Sequence, residues 1–332
     1  MRKQILIVFA IIFFSALTVK SQVKIIFDTD FGGDADDLGA LVMLHNMYNK
    51  GECDLLGIAT WSDEQYVIPA MDAVNRLYGN PDIPMGIRTK ESNYQEWCYN
   101  KSLADAFPNK LTNQDVIPAV DLYRKLLSEQ NDKSVTIVTV GPLKNIMDLI
   151  QSESDSYSRL TGNELIERKV KEFVIMGGRF PKGKSEWNFN GEMPGVTKFV
   201  LENLTIPVVF TGFEVGNVIK TGAVFEDLEK NHPLYIGFKH FSQSAPWMKD
   251  RYEGKILDNA TFDQAAVLYA VKGGTGKYWD KVDNGYCVAD ENGGNYWVEG
   301  SKYDHAYLVL TEDPEKMAHL IESLMLKSKN DS

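Results

Sequence analysis

Cysteine is scarce in this sequence and follows no ligand spacing. The 332 residues include only Cys53, Cys98 and Cys287, and there is no Cys-x-x-Cys pair. Thiolate metal sites and disulfide scaffolds need closely spaced or numerous cysteines. The sequence therefore argues against both, although one disulfide in an oxidising compartment stays open.

Long apolar stretches are missing after the N-terminus. Arg2 and Lys3 precede an apolar run over residues 5–17, and Val19-Lys20-Ser21 resembles a small-residue cleavage site. We therefore predict a signal peptide at residues 1–21 and an exported mature protein, periplasmic or extracellular and not bound to a membrane. A retained anchor is the alternative, but the run is shorter than the roughly 20 residues that span a bilayer.

Positive charge is in deficit. Lysine and arginine number 35 against 46 aspartates and glutamates, giving a net charge of −11. Removing residues 1–21 takes away three basic residues and gives −11 − 3 = −14. This balance disfavours nucleic acid as a partner. It does not bear on self-association, so a homo-oligomer stays open.

Internal repeats and low-complexity linkers are absent, and we expect one domain over residues 22–332. Short β-branched runs alternate with segments of helical periodicity, which predicts an α/β fold with an open, mostly parallel sheet flanked by helices. Predicted strands are Val23–Phe27, Asp54–Thr60, Ile83–Ile87, Ser134–Val140, Val170–Met176 and Ile206–Thr211. Predicted helices are Leu38–Tyr48, Ala70–Tyr78, Ile117–Ser128, Leu143–Ile150 and Val196–Glu202.

Two regions depart from this alternation. Residues 88–115 are rich in asparagine, lysine and aromatic residues and predict a long surface excursion. After Pro233 we expect a helix near residues 261–271, hairpins over 273–310 and a last helix over 314–326. This C-terminal part is interpreted as a hairpin and helix cap on the same domain.

The strongest local signal is an acidic cluster after the first predicted strand. Five aspartates lie within the ten residues from Asp28 to Asp37, and Gly32 and Gly33 allow a tight backbone path between them. Such crowding costs stability unless a cation neutralises the charges or some carboxyls are protonated. Oxygen-only ligation favours Ca²⁺ or Mg²⁺ over zinc.

Simpler explanations of this cluster account for less of it. Asp36 or Asp37 could cap the helix predicted from Leu38, but a cap uses one aspartate. A solvated loop is also open. The closing acid of an EF-hand loop is missing, and no Gly-Lys-Ser/Thr follows that would mark a phosphate-binding loop. We therefore predict a metal site.

The run from Asp28 to Asp37 resembles the inosine-uridine type nucleoside hydrolase family, in the variant with two extra residues before the final Asp pair. Further stretches resemble the family in matching order, over most of the mature chain. They are Thr139-Val140-Gly141-Pro142-Leu143-Lys144-Asn145, Met176-Gly177-Gly178, Glu186-Trp187-Asn188-Phe189-Asn190 and Phe262-Asp263-Gln264-Ala265-Ala266.

The resemblance implies calcium-dependent hydrolysis of the N-glycosidic bond of a ribonucleoside-like small molecule. It implies that Ca²⁺ is held by the carboxylates of Asp30, Asp37 and Asp263 and by the main-chain carbonyl of Val140. Asp30 would also be the general base. The substrate-binding residues implied for the sugar are Asp36, Glu186 and Asn188, and Asp28 is expected to support the loop.

Some candidate residues have ordinary alternatives. Glu186 and Asn188 could belong to a plain loop with Trp187 and Phe189 packed inward, and we expect Trp187 itself to be packing. Glu214 ends another strand, where it could face the site or bridge to backbone. The residues alone do not decide between these two positions.

The base-binding half departs from the family. Many members have a histidine before the last metal-binding aspartate, where this chain has Phe262, so the acid for the leaving base is unassigned. Segments 61–64 and 179–184 also differ. The candidates for this acid are Asp63, Glu64, Tyr252 and His240. Trp247, Trp279 and Trp297 could line an aromatic base pocket or simply pack, and His240 and His305 could equally be structural.

These departures leave two alternatives to catalysis on nucleosides. A non-catalytic, calcium-dependent nucleoside or sugar-binding protein is the first, because the usual acid is replaced by Phe262. A metal-dependent phosphatase is the second, but the sequence lacks the downstream lysine and acidic pair in a suitable context.

Overall fold

A nine-stranded sheet forms the centre of the protein in the computed structural model, which describes residues 22–88 and 97–326. The predicted signal peptide lies outside the described residues. The strands are β1 (Val23–Thr29), β2 (Cys53–Thr60), β3 (Met85–Ile87), β4 (Ile117–Pro118), β5 (Val135–Thr139), β6 (Val170–Met176), β7 (Lys182–Gly183), β8 (Val208–Thr211), β9 (Lys220–Thr221), β10 (Asn259–Ala260), β11 (Trp279–Val282), β12 (Gly285–Ala289), β13 (Asn295–Glu299) and β14 (His305–Leu310).

Helices connect and cover these strands. They are α1 (Ala35–Asn49), α2 (Val67–Leu77), α3 (Asn100–Ala106), α4 (Ala119–Ser128), α5 (Lys144–Ile150), α6 (Gly162–Lys169), α7 (Trp187–Asn190), α8 (Val196–Asn203), α9 (Phe213–Val218), α10 (Pro233–Ser244), α11 (Phe262–Lys272) and α12 (Pro314–Leu326). None of the helices in the described ranges combines the length and apolarity that crossing a bilayer requires.

The strand order is β11-β14-β8-β6-β5-β1-β2-β3-β4, and only the β11–β14 pair is antiparallel. From β1 the chain builds outward through β2, β3 and β4, and then returns to add β5 on the other side of β1. The crevice outside the carboxyl ends of β1 and β5 is therefore the topological switch point, where open α/β sheets bind ligands.

Successive residues of the central strands feed two separate apolar layers. In β1, Ile25 and Phe27 join the layer that includes α1, α2, α11 and α12, whereas Ile26 joins the layer of α4, α5, α6 and α8. Burial on both faces explains why these strands are continuous apolar runs in the sequence rather than alternating ones. The predicted fold class, an open and mostly parallel α/β sheet, is confirmed.

The C-terminal part is more closely joined to the sheet than a cap alone would be. Strands β11 and β14 extend the main sheet beyond β8, while β12 and β13 form a small sheet with β7. The predicted last helix is present as α12. This part of the chain therefore completes one edge of the main sheet and adds a small second sheet.

The prediction of a surface excursion over residues 88–115 is wrong for much of its described part. Helix α3 lies there, and Tyr99, Asn100 and Leu103 are fully buried. Residues 89–96 lie outside the described part of the chain. The helix was not recognised in the sequence because its segment is polar. Asn100 is nevertheless buried, since it donates hydrogen bonds to the Phe31 carbonyl and to Glu64.

Candidate active site and metal centre

A cavity of about 660 Å³ opens at the switch point between β1 and β5. One wall is acidic and comes from the loop after β1 and from the first turns of α1 and α11. The rest of the lining includes Val140, Met176, the segment that begins α7, and several aromatic side chains. The cavity thus joins polar groups that can bind a sugar to apolar faces that can hold a flat ring.

Three aspartates distant in the chain converge in this cavity. Carboxylate oxygens of Asp36, Asp37 and Asp263 all lie within 4.8 Å of one another, and the three residues are nearly fully buried. Asp36 and Asp37 lie in the first turn of α1, and Asp263 lies in the first turn of α11, which packs against α1. Asp30 follows β1 and lines the same cavity.

In the described part of the chain, no basic side chain is paired with these carboxyl groups. Burial, followed by repulsion from the neighbouring carboxylates, raises the pKa of Asp36 and Asp263 well above the usual range, and burial does the same for Asp37. Burial also raises the pKa of Asp30 to about 6. Among the described residues, none of the four forms an ion pair with a lysine, arginine or histidine. This donor set fits a hard divalent cation, which would favour the charged carboxylates.

The main-chain carbonyl of Val140 faces the same region. Val140 follows β5, is buried and lines the cavity. Its carbonyl oxygen accepts a hydrogen bond from Asn188 Nδ2 at 2.8 Å. A carbonyl oxygen has two lone pairs, so this bond leaves one free. The side-chain identity at this position does not matter for such a ligand.

Some residues between β1 and α1 support the loop, and others line the cavity. Asp34, not Asp36 or Asp37, caps α1 by accepting the Asp36 amide at 3.4 Å, so the cap explanation of the aspartate pair is wrong. Gly32 has a φ of 119°, which is the tight path that was predicted for this loop. Asp28 is not among the described residues that line the cavity.

Glu186 holds the local chain as well as facing the cavity. Its carboxylate caps α7, accepting the amides of Asn188 and Phe189, and also accepts the Gly178 amide at 2.9 Å. Burial raises its pKa to about 7. Asn188 donates its amide to the carbonyls of Val140 and Met176. The structure therefore places both predicted sugar-binding residues at the cavity, with their orientation fixed by backbone.

The expectation that Trp187 is packing is wrong. Its side chain is 38% exposed and lines the cavity, and its indole Nε1 donates to Asp30 Oδ2 at 2.9 Å. Phe189, two residues later, is the buried one. The alternation of exposed tryptophan and buried phenylalanine could not be derived from the letters, because both are large and aromatic.

The aromatic lining differs from the predicted set. Of the three candidate tryptophans only Trp247 lines the cavity in the described part of the chain, and it meets Trp97 edge to face at 5.5 Å. Trp279 is buried in the core, and Trp297 packs on Tyr307. Phe262 forms a second aromatic pair with Phe213, a residue that the sequence reading did not select.

None of the residues predicted as an acid for the leaving base lines the cavity among the described residues. Glu64 is buried against Asn100 and the Tyr66 amide, and His240 contacts Ser102 Oγ at 2.9 Å. Glu214 accepts a hydrogen bond from the Phe180 amide at 3.0 Å, so of its two predicted positions the bridge to the backbone is the one observed. His305 is a buried structural residue that accepts the Cys287 amide, and all three cysteines are free thiols.

The chain resembles known proteins in both sequence and fold. The sequence model of the family described as inosine-uridine preferring nucleoside hydrolase matches residues 25–318, and the chain belongs to this family of N-riboside hydrolases. No curated protein sequence matches the chain. The family assignment agrees with the resemblance of the motifs around Asp30, Glu186 and Asp263.

Solved structures share the fold at low identity. The chain is similar to the plant nucleoside hydrolase PpNRh1, with 17% identity, a TM-score of 0.66 and coverage of 92% of this chain and 99% of that one. For the inosine-uridine preferring nucleoside hydrolase of Bacillus anthracis the values are 16%, 0.65, 91% and 98%. For the type III effector protein XopQ, complexed with adenosine diphosphate ribose, they are 13%, 0.66, 92% and 93%.

Proposed function

We propose that this protein is a calcium-dependent N-glycosidase that hydrolyses a ribonucleoside or related N-riboside to base and ribose. The observation that carries the proposal is the convergence of Asp30, Asp36, Asp37 and Asp263 in one cavity, where no side-chain cation of the described residues pairs with them. Family membership over residues 25–318 supports N-riboside hydrolysis in general. Calcium, the residue roles and catalytic turnover belong to the proposal.

The proposed metal ligands are the carboxylates of Asp30, Asp37 and Asp263 and the carbonyl oxygen of Val140. All four are oxygen donors, and Ca²⁺ accepts six to eight such ligands in flexible geometry. When bound, the ion would lower the pKa of a water molecule and orient two sugar hydroxyls. Thr29 Oγ1 donates to Asp37 and thereby fixes the orientation of that carboxylate.

The remaining site residues act on the substrate. Asp30 removes a proton from the attacking water, and its Oδ2 is held by Trp187 for this role. Asp36 accepts hydrogen bonds from the ribose hydroxyls. Glu186 and Asn188 bind the sugar and stabilise the positive charge that develops on its ring as the N-glycosidic bond breaks. Holding the sugar and the water in one geometry supplies part of the rate.

Ribose release tests this proposal. The mature protein, supplied with Ca²⁺, is incubated with a panel of purine and pyrimidine nucleosides, and free ribose is assayed. Asp37→Asn is expected to lower kcat/KM at least about a hundredfold, since it removes a metal ligand. Asp280→Asn, on the exposed part of β11, is the matched control with an equal change of charge. No release from any nucleoside or related N-riboside would contradict the proposal.

A non-catalytic nucleoside-binding protein is the second candidate. The observation that favours it is the absence of histidine, tyrosine, cysteine and lysine from the described lining of the cavity, so that among the common proton donors only carboxyl groups remain there for the departing base. Calorimetry separates the two candidates. The binding protein would take up nucleosides in calcium and return them uncleaved.

Export is a further part of the proposal and rests on residues 1–21 of the sequence. N-terminal sequencing of protein recovered from the periplasm or medium of a producing cell is expected to read from Gln22. Recovery of the intact N-terminus in the cytosolic fraction would contradict export.

A further inference from the structure

A single arginine lies among the acidic side chains in the described lining of the cavity. Arg179 is the only lysine or arginine among the described lining residues, which include Asp30, Glu186 and Asp263. An arginine among carboxylates usually pairs with one of them. In the described part of the chain, Arg179 forms no ion pair, so its charge is not used to neutralise the metal site.

The guanidinium is held in place by contacts that leave its charge available. It lies over the Phe213 ring, 3.6 Å from the ring centroid, and its Nε donates to the Ser185 carbonyl at 3.2 Å. The remaining guanidinium N–H groups, on the two Nη atoms, have no partner in the hydrogen bonds of the described residues. This is a planar donor edge that is ready to bind two acceptor oxygens.

The local backbone is built to present this side chain. Asn295 accepts the Arg179 amide at 2.9 Å and donates to its carbonyl at 2.7 Å. The side-chain stem lies against Gly183, where an added Cβ would be 2.5 Å from Arg179 Cβ. Any residue other than glycine at 183 would displace the stem. Arg179 is therefore positioned by the small sheet of β7, β12 and β13.

Arg179 belongs to the sugar side of the cavity. The amide of Gly178, the preceding residue, donates to Glu186, and Arg179 itself reaches Ser185, the residue before Glu186. A riboside whose sugar contacts Glu186 thus brings its substituents within this part of the cavity. An anionic substituent would supply the two acceptor oxygens that the guanidinium lacks.

We propose that Arg179 selects N-ribosides that carry an anionic group, either a phosphate on the 5′-oxygen or a carboxylate on the base. The inference rests on the proposed N-riboside substrate. Both sources present paired, negatively charged oxygens, which suit a guanidinium better than they suit an ammonium group. A divalent cation at the proposed metal site would balance part of the negative charge of the surrounding carboxylates and so weaken their repulsion of the anionic group.

Calorimetry with fragments tests the inference without requiring turnover. Ribose is compared with ribose 5-phosphate, and uracil with orotate, each titrated into the calcium-loaded full protein. We expect the anionic member of one pair to bind about tenfold more tightly, as one charge-assisted bidentate contact supports. The pair that shows the preference identifies the position of the charge.

The matched variants are Arg179→Gln and Lys184→Gln. Both remove one positive charge from the same segment, but Lys184 is exposed and lies outside the described lining. The preference is expected to vanish in Arg179→Gln and to persist in Lys184→Gln. Equal affinities within both pairs, or a preference that survives Arg179→Gln, would overturn the inference. Ribose release from plain nucleosides would still uphold the proposed function in either case.

Discussion

At the scale of single residues, Trp187 connects the proposed sugar-binding segment to Asp30, the proposed general base. Its indole N–H donates to Asp30 Oδ2. Burial raises the pKa of this carboxyl to about 6, and the bond from Trp187 opposes that rise. Trp187 is therefore expected to position the carboxylate of Asp30 and not only to fill space.

Replacing Trp187 with phenylalanine tests this role. Trp187→Phe removes a hydrogen bond to a charged group, worth roughly 1.5–3 kcal/mol, so kcat/KM is expected to fall about tenfold or more. The acidic limb of the pH–rate profile should move to higher pH, because the lost donor had favoured the charged carboxylate.

Trp297→Phe is the control, since Trp297 lies outside the described lining and bonds Asn284 instead. It should leave the profile in place. An unmoved acidic limb in Trp187→Phe would show that Trp187 only fills space.

At the scale of elements, two helices hold the end of β1 where the metal loop begins. Asp28, the buried residue before Thr29, accepts Tyr123 Oη from α4 at 2.7 Å and Asn145 Nδ2 from α5 at 3.1 Å. Even with these bonds, burial raises its pKa to about 7. The acidic loop is thus tied to the opposite layer of the sheet through one carboxyl group.

Removal of one of these bonds should cost stability while leaving the site composition unchanged. Tyr123→Phe leaves a buried carboxyl without one partner, so the free energy of unfolding should fall by about 1–3 kcal/mol, measured by urea titration. Tyr157→Phe, at a position that is 37% exposed, is the control and should change it by less than about 0.5 kcal/mol. Equal stabilities of the two variants would contradict the supporting role of α4.

The strands of the sheet and the helices that connect them could be predicted best from the sequence. The six predicted strands are all present, because doubly buried strands appear as β-branched runs and their crossover helices keep a regular period. Helices α6, α7, α9 and α10 were not predicted. Strand β4 occupies Ile117 and Pro118, where a helix was predicted to begin, and α3 was also missed. Both depend on tertiary contacts that a local pattern does not contain.

The sequence drew attention to the grouped site residues but not to the isolated ones. The aspartates after β1 repel one another strongly enough to require an explanation in the sequence itself. Trp187, Phe213 and Arg179 carry no such local signal. Their exposure to the cavity depends on which way one side chain turns, and that is fixed by distant residues such as Asn295.

At the scale of the whole molecule, the buried carboxyls couple stability to pH and calcium. In the metal-free state the folded pKa of Asp28 is about 7 and that of Asp30 about 6, both above the ordinary value of 3.8. A carboxyl with a raised folded pKa contributes its full stability below pH 3.8. That contribution is lost as pH rises through the folded pKa, because the unfolded chain ionises first.

Chelated protein should therefore be less stable at pH 8 than at pH 5, by at least roughly 2 kcal/mol. Calcium-loaded protein should lose less over the same interval, since the ion stabilises the charged carboxylates. Thermal unfolding in EGTA and in calcium at both pH values measures the difference. Parallel changes in the two conditions would mean that calcium does not act on these aspartates.

The central claim is that aspartates from β1, α1 and α11 hold one calcium ion on which ligand binding depends. Calorimetric titration of Ca²⁺ into chelated, full-length mature protein tests it most directly, with and without ribose present. One ion per chain, bound more tightly when ribose is present, is the predicted result. Absence of calcium binding, or binding that persists undiminished in Asp263→Asn, would contradict the account.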